Sequence, residues 1–185
     1  DEGRFTLRYY EHCLPIDPWF VVESAPDEAE LIRQARRKNH DVPKRLADGL
    51  GRDLDAEDDG SKKVAVFGVS YKGNVDDTRE TPASDLLASL DARGIETAVY
   101  DPHASSFDRE LTGLEVTVEG ADALVISAAH DEFKYLDPSG LYELMAGDAV
   151  YDYCNLLDAE KWRTAGFDYR GRGVPLQAKS SEGRS

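Results

Sequence analysis

The sequence contains few cysteines and no long apolar run. Its 185 residues include only Cys13 and Cys154, and neither belongs to a Cys-x-x-Cys pair. This pattern excludes a cysteine-based zinc site and a disulfide framework, and it indicates a reducing compartment. No stretch approaches the roughly 20 apolar residues of a membrane helix, which excludes a membrane-embedded protein. The first residues also lack a basic segment followed by an apolar one, so we expect no secretory signal and a cytoplasmic location.

Positive charge is the second deficit. Lys and Arg together number 22 against 37 Asp and Glu, which gives a formal net charge of -15. A field of this sign repels nucleic acid and anionic membranes, so we expect neither as a partner. The acids are spread along the whole chain, Asp outnumbers Glu, and Arg outnumbers Lys. This composition predicts a surface adapted to high salt, as in a halophile.

Short apolar runs alternate with helical patterns in the second part of the chain. This alternation predicts right-handed βαβ units, and therefore an α/β fold with a doubly wound parallel sheet over residues 62–175. The predicted helices cover residues 82–93, 138–145 and 158–165. The predicted buried strands cover residues 64–69, 96–100, 114–118, 123–128, 149–153 and 167–169.

The first part of the chain reads differently. Residues 1–26 carry three prolines around an aromatic cluster, which indicates loops with a short helical turn at most. Residues 27–50 have an approximately helical period interrupted at Pro43, so we expect a linking segment of two helices or one kinked helix. Residues 51–61 are acidic and bounded by glycines, which predicts a linker, and residues 176–185 form a polar tail that we expect to be disordered.

The longest polar connection follows the first predicted strand and covers residues 68–82. It matches neither a Walker loop nor the dinucleotide Gly-x-Gly-x-x-Gly fingerprint. It does place two cations, Lys72 and Arg79, beside glycines and a predicted helix N-terminus at Thr81, which is a combination suited to phosphate. The alternative is that Lys72 and Arg79 only neutralise neighbouring acids at the surface. The histidines His40, His103 and His130 have no metal-ligand spacing; we expect them at the surface or at helix ends, and we expect no metal.

Four motifs carry a resemblance to a known family. The string Val-Phe-Gly-Val-Ser-Tyr-Lys-Gly-Asn-Val-Asp-Asp-Thr-Arg-Glu-Thr-Pro-Ala at residues 66–83 resembles the opening of the C-terminal UDP-binding domain of the UDP-glucose/GDP-mannose dehydrogenase family. The similarity is greatest to the branch that forms UDP-N-acetyl-mannosaminuronic acid. It extends to Tyr-Asp-Pro at residues 100–102 and Tyr-Asp-Tyr-Cys-Asn at residues 151–155. It also includes His-Cys-Leu-Pro-Ile-Asp-Pro-Trp-Phe at residues 12–20, which resembles the family's catalytic-cysteine segment.

The resemblance implies oxidation of a UDP-sugar alcohol to the uronate with NAD. It implies that Cys13 is the nucleophile that attacks the aldehyde and that Asp17 assists proton transfer and hydrolysis. It further implies a UDP-binding loop in which Lys72 contacts the ligand while Tyr71 and Arg79 shape the loop. The helical segment 27–50 corresponds to the helix that joins the family's two halves and forms a dimer interface, although its apolar residues suit coverage of the chain's own sheet equally well.

The sequence also departs from the family pattern. Tyr10 and Glu11 stand where the family has glycines, and Cys154 stands where it usually has an arginine. No stretch of the sequence matches the family's NAD-binding domain, so we expect no NAD site in this chain and no turnover by the chain alone. An NAD-binding domain would then be a separate or missing part. These departures leave a second interpretation open, namely a non-catalytic UDP-sugar-binding or oligomerisation module.

Overall fold

The computed structural model describes residues 17–54 and 62–171. Three helices come first: α1 (Asp17–Ser24), α2 (Glu30–His40) and α3 (Val42–Asp53). The strands are β1 (Lys63–Phe67), β2 (Glu96–Tyr100), β3 (Ala123–Ile126), β4 (Ala149–Asp152) and β5 (Asp168–Gly171). The later helices are α4 (Pro82–Asp91), α5 (Leu114–Val118), α6 (Pro138–Leu144) and α7 (Ala159–Thr164), with a 3₁₀ helix at Asp131–Tyr135. None of the described helices is long and apolar enough to cross a membrane.

The five strands form one parallel sheet in the order β2-β1-β3-β4-β5. Val66 of β1 pairs with Val99 on one side and with Val125 on the other. The chain therefore leaves β1 in one direction along the sheet and returns to β3 on the opposite side. The predicted α/β fold with a doubly wound parallel sheet is confirmed, and its topological switch point lies between β1 and β3.

Apolar residues cover both faces of the sheet. The helices α3 and α4 pack on one face, where Leu50, Leu86 and Leu90 are buried against β1 and β3. The helices α5, α6 and α7 contribute to the other face, where Trp162 is 2% exposed and Phe133 is 1% exposed. Because both faces of the sheet are covered, the central strands β1, β3 and β4 read in the sequence as nearly continuous apolar runs.

The helical segment before the sheet consists of two helices that meet at Asp41. Pro43 lies in the first turn of α3, where the missing N–H costs no helical hydrogen bond. The helix α3 continues to Asp53, three residues beyond the end predicted at residue 50. The predicted linker therefore begins too early, because Gly51 is a buried helical residue next to the side chain of Arg93. Residues 55–61 lie outside the described residues.

Side-chain contacts attach α3 to the sheet domain. The guanidinium of Arg93 pairs with Asp48. At the end of α3, Asp53 accepts a hydrogen bond of 2.6 Å from the hydroxyl of Tyr151 and pairs with Arg170. The orientation of α3 relative to the sheet is thus fixed at both its middle and its C-terminal end.

The prediction of a buried strand at residues 114–118 is wrong. These residues form the short helix α5, in which Val118 is buried but Val116 is 60% exposed. Thr117 donates from its hydroxyl to the carbonyl oxygen of Gly113, a hydrogen bond that belongs to a helical turn. All five residues except Glu115 are apolar or β-branched, and a run this short has no periodicity that separates a strand from one turn of helix, so the sequence pattern alone does not decide between them.

Candidate functional site at the sheet switch point

Two loops leave the sheet on either side of the switch point. The first, residues 68–81, joins β1 to α4, and the second, residues 127–130, follows β3. Ligands of open α/β sheets bind outside the carboxyl ends of the strands at such a point. The predicted ligand loop therefore emerges where the fold favours a binding site.

The two loops touch each other through glycines. A Cβ atom built on Gly73 lies 2.1 Å from the carbonyl oxygen of Ala129, and one built on Gly68 lies 2.6 Å from the Cβ atom of Ala128. Gly68 also has a φ of +87°, which side chains rarely adopt. Glycine is required at both positions because the backbones approach too closely for any larger residue. The backbone of the first loop therefore packs directly against the backbone of the second loop.

Asn74 makes the main polar connection between the loops. Its φ is 63°, in the left-handed region that asparagine tolerates better than most residues. Its side-chain amide donates to the Asp131 carboxylate at 2.7 Å, and its side-chain oxygen accepts from the Asp131 backbone N–H at 2.9 Å. Its own backbone N–H donates to the Nδ1 atom of His130 at 2.9 Å.

His130 is fully buried between the two loops. Its Nε2 atom lies 3.0 Å from a carboxylate oxygen of Asp101, while Nδ1 accepts from Asn74. Because Nδ1 accepts a backbone N–H, the proton of the ring belongs on Nε2, and the ring is the neutral Nε2–H tautomer. The ring stacks on His103 at 4.8 Å and meets the edge of Phe133 at 5.2 Å. His130 is the N-cap residue of the 3₁₀ helix, so the predicted helix-end position is confirmed, although the side chain is buried and hydrogen-bonded and does not lie at the surface.

Asp101, directly after β2, is the second buried polar residue of the site. Among the described residues, its carboxylate accepts six hydrogen bonds. Burial alone raises the pKa of Asp101, but the hydrogen bonds from His130 and from three backbone amides outweigh burial and hold the pKa well below its usual value. The carboxylate is therefore ionised and saturated with donors.

The hydrogen bonds that Asp101 already accepts determine whether this domain can bind NAD. In a dinucleotide-binding domain, an acid after the second strand accepts from the ribose hydroxyls, and a glycine-rich fingerprint follows the first strand. Asp101 stands at the position of that acid, yet it is 7% exposed and its oxygens are occupied by protein donors. The residues of the described sheet domain do not fit NAD.

Asp152 repeats the arrangement at the end of β4. Its carboxylate is fully buried and accepts from the backbone N–H groups of Leu156 and Leu157, both at 2.7 Å, and from the Tyr169 hydroxyl at 2.9 Å. It also accepts from the N–H of Cys154 at 3.0 Å. The thiol of Cys154 lies 3.8 Å from the carbonyl oxygen of Ile126. The position where the family resemblance implies an arginine thus holds a thiol directed at the backbone of β3.

The three predicted loop residues have different surroundings. Tyr71 is half-buried, and its backbone N–H donates to the Asp77 carbonyl at 2.9 Å. Lys72 is exposed and forms no salt bridge with a described residue. Arg79 forms a two-pronged pair with the Asp77 carboxylate at 2.9 and 2.5 Å, with 74% of its side chain exposed. The geometry at Arg79 is that of the alternative interpretation, in which the cation neutralises a neighbouring acid.

The loop ends at the N-terminus of α4. Thr81 is the N-cap residue, and its hydroxyl accepts from the backbone N–H of Ala83 at 3.3 Å. Pro82 occupies the first turn of the helix. The capped end carries the positive end of the helix dipole, which favours a negative ligand nearby. Lys72 lies on the same connection, so this loop carries both a cation and the positive end of a helix.

Three titratable side chains near the second loop have ligand atoms within 4.8 Å of one another, namely His103, His130 and Glu132. Both ring nitrogens of His130 are already engaged by Asn74 and Asp101. The His103 ring nitrogen lies 3.0 Å from the Glu132 carboxylate. A pair of ligands without His130 is too few for a structural metal site, so these three described residues do not form one.

The catalytic-cysteine segment is described only in part. Cys13 lies outside the described residues. Asp17 is the exposed first residue of α1, so the region predicted as loops with a turn at most holds an eight-residue helix. Among the described elements, α1 packs against α2.

The sequence prediction missed the residues that hold the site together. Asp101 follows Tyr100, the last residue of β2, and Asp152 follows Tyr151 and is itself the last residue of β4. An acid at the end of a strand lies at the carboxyl edge of this parallel sheet, where loop amides need acceptors, and this signal was present in the sequence. His130 carries no comparable signal, because its partners lie 29 and 56 residues away.

Comparison with known proteins identifies the domain. The model of the UDP-glucose/GDP-mannose dehydrogenase family, UDP binding domain, matches residues 65–159, just over half of the chain. A UDP-N-acetyl-D-mannosamine dehydrogenase of Methanocaldococcus jannaschii is 42% identical over 159 residues, which cover 84% of this chain and 36% of that protein. An NDP-N-acetyl-D-galactosaminuronic acid dehydrogenase of Ralstonia nicotianae is 34% identical over 136 residues, covering 70% of this chain and 32% of that protein.

Solved structures agree with the sequence comparison. A UDP-D-ManNAc dehydrogenase from Pyrococcus horikoshii superimposes with a TM-score of 0.77 at 33% identity, covering 91% of this chain and 39% of that one. The UDP-N-acetyl-mannosamine dehydrogenase Cap5O from S. aureus gives a TM-score of 0.73 at 30% identity, with the same coverage of 91% and 39%. The chain spans less than two fifths of the length of these relatives. From the family match and the shared fold, the chain belongs to the UDP-glucose/GDP-mannose dehydrogenase family and contains its UDP-binding domain.

Proposed function

We propose that the loop of residues 68–81 binds the diphosphate of a UDP-sugar, with Lys72 as the principal cation. The observation that supports this most is the exposed Lys72, without a salt bridge to a described residue, on a loop fixed at the switch point ahead of the Thr81-capped helix. Tyr71 and Arg79 shape the loop, and a phosphate would share Arg79 with Asp77.

We propose further that the chain is the C-terminal part of a nucleotide-sugar 6-dehydrogenase that forms the uronate. The relatives named UDP-N-acetyl-D-mannosamine dehydrogenase favour a UDP-N-acetylhexosamine over UDP-glucose as the substrate. Cys13 would attack the aldehyde, and Asp17 would assist proton transfer. NAD accepts hydride when it is bound, and its site would lie outside the described sheet domain, because Asp101 is committed to internal donors.

A test of the proposed site compares two lysine variants. Lys72→Ala should weaken UDP binding by about 1.5–3 kcal/mol, which is roughly 10- to 150-fold in Kd, because a charge-assisted phosphate contact is lost. Lys44→Ala removes the same charge from an exposed position on α3 and serves as the matched control. Titration calorimetry with UDP measures both. Equal affinity of the Lys72 variant, the Lys44 variant and the parent would remove Lys72 from the site.

The helices α1 and α2 supply a candidate dimer surface. Leu31 is 82% exposed, Phe20 is 63% exposed, and α2 has no buried residue. We propose that these helices contact a second copy of the chain. Sedimentation equilibrium should then show a dimer in the parent and a monomer for Leu31→Glu. A parent that stays monomeric at micromolar concentration contradicts the dimer.

A second candidate function is a non-catalytic UDP-sugar-binding module. It is favoured by Tyr10 and Glu11 in place of glycines and by Cys154 in place of an arginine. Thiol alkylation distinguishes the two functions, with Cys154→Ala used to report on Cys13 alone. Rapid alkylation of Cys13 that a UDP-sugar slows supports the enzyme; a slow reaction that the UDP-sugar leaves unchanged supports the module.

We propose a halophilic origin, which the charge of the chain supports. A net charge of -15 raises internal repulsion at low ionic strength, and screening by salt relieves it. We expect the thermal midpoint to rise as KCl is added from low concentration to the molar range. A midpoint that is unchanged or falls over this range contradicts adaptation to salt.

A further inference from the structure

We infer that His130 is a positioning residue for the ligand loop, holding Lys72 in its binding position through the Nδ1 contact with the Asn74 backbone. This inference rests on the proposed UDP site. His130 does not touch the ligand in this account. It acts through the backbone of residues 68–74, and Asp101 acts through His130 and the same backbone.

The backbone on both sides of Lys72 is hydrogen-bonded to buried side chains. The side chain of Lys72 is exposed, so the place from which the side chain extends is set by the backbone that carries it. On one side, the N–H groups of Val69 and Ser70 donate to Asp101 at 2.7 and 3.1 Å. On the other side, the N–H of Asn74 donates to His130 at 2.9 Å. Lys72 lies between these two attachments.

His130 is itself held in place by the residues around its ring. The ring is fully buried, is stacked on His103, and touches Phe133 with its edge. Its Nε2–H donates to the same Asp101 oxygen that accepts from Val69 and Ser70. The two attachments of the loop therefore converge on one buried histidine–aspartate pair, and neither attachment depends on an exposed side chain.

The two hydrogen bonds of His130 require one particular tautomer of its ring. Only a ring with the proton on Nε2 donates to Asp101 and accepts from Asn74 at the same time. The opposite tautomer would place two N–H groups against each other at Asn74 and leave Asp101 facing a lone pair. The position of the loop is thus linked to one protonation form of a residue that contacts no ligand.

Two substitutions separate the two ring nitrogens. In His130→Asn, the side-chain oxygen lies near the position of Nδ1 and accepts from Asn74, but the donor to Asp101 is lost. In His130→Gln, the amide nitrogen reaches the position of Nε2 and donates to Asp101, but the acceptor for Asn74 is lost. Val150→Ala, in the core of β4 and fully buried, is a control that lowers stability away from the loop.

The positioning role predicts that UDP affinity does not follow stability. We expect His130→Gln to raise the Kd for UDP about five- to tenfold, as for the loss of one hydrogen bond, and to speed amide exchange at Asn74. We expect His130→Asn to stay within about twofold of the parent, although it loses more packing and more stability. Val150→Ala should leave the Kd unchanged. In the parent, ¹⁵N spectra of the imidazole should show a protonated Nε2 and an unprotonated Nδ1.

Several results would overturn the inference. Affinities that fall in the order of the losses in stability, with His130→Asn the weakest binder, would mean a purely structural role. A proton on Nδ1 would also refute it. A parent chain that binds no UDP refutes the proposed site; amide exchange at Asn74 in the two variants then still decides whether His130 holds the loop.

Discussion

Removing one acceptor oxygen from Asp101 is the most direct test of the buried network. In Asp101→Asn, the side chain keeps its shape but exchanges one oxygen for an amide nitrogen. One oxygen of the parent carboxylate accepts from the N–H groups of His103 and Ala104, both at 2.8 Å. The other accepts from Val69, Ser70 and His130. Whichever way the asparagine turns, its amide nitrogen faces at least two backbone N–H groups.

The magnitude follows from these two unsatisfied donors. A buried donor without a partner costs about 1–3 kcal/mol, and two of them cost about 2–6 kcal/mol. The amides of His103 and Ala104 are only partly buried, and the asparagine will turn toward them, so the lower half of this range applies. We expect the free energy of unfolding to fall by about 2–4 kcal/mol.

Urea denaturation of the parent and the variant measures this difference. Asp108→Asn, which removes an exposed carboxylate from the same connection, is the control and should change stability by less than about 0.5 kcal/mol. A difference between Asp101→Asn and Asp108→Asn within error would refute the network. The pKa of Asp101 is lowered in the folded state, so its stabilisation is present above the ordinary pKa near 4 and is lost as the pH falls further. The gap between parent and Asp101→Asn should therefore shrink below about pH 4.

Three further predictions concern other parts of the domain. Gly73→Ala should lower the free energy of unfolding by about 1–3 kcal/mol and weaken UDP binding, because the new Cβ atom would lie 2.1 Å from the carbonyl oxygen of Ala129. Gly113→Ala is the control and should change neither stability nor binding, because nothing lies within 4 Å of its Cβ position. Urea denaturation compares the stability of the two variants. Thr81→Ala should lose about 1 kcal/mol of stability by removing the cap of α4, and Thr81→Ser should restore most of it; equal losses in both variants would exclude a capping role. Burial raises the pKa of Tyr153 and of Tyr169, so the contribution of these two tyrosines to stability should be constant up to about pH 10 and fall above it; absorbance titration that shows every tyrosine ionising normally in the folded chain would contradict this.

The sequence was sufficient for the centre of the sheet because β1, β3 and β4 are buried on both faces. A nearly continuous apolar run such as residues 64–69 has few alternatives when helices of about ten residues follow it. The same reasoning failed for residues 114–118, where one turn of helix presents the same composition. Periodicity is informative only when the element is long enough to show it.

The sequence predicted the loop that forms the site, but it did not predict the buried residues that hold this loop in place. Lys72 and Arg79 stand out in the sequence because cations are scarce there, but the pairing of Arg79 with Asp77 depends on how the loop folds back. His130 and Asp101 are 29 residues apart and become partners only through the order of the strands. Contacts of this kind follow from topology, and local residue patterns do not contain them.

The central claim is that the loop after β1 holds a diphosphate although the chain carries a net charge of -15. Titration calorimetry of the chain with UDP and with uridine, in concentrated KCl, tests it most directly. The account predicts a saturable heat and thermal protection with UDP, and affinity for uridine at least about tenfold lower, because the phosphates carry most of the binding energy. Equal affinity for the two ligands, or neither heat nor protection with UDP, would contradict it.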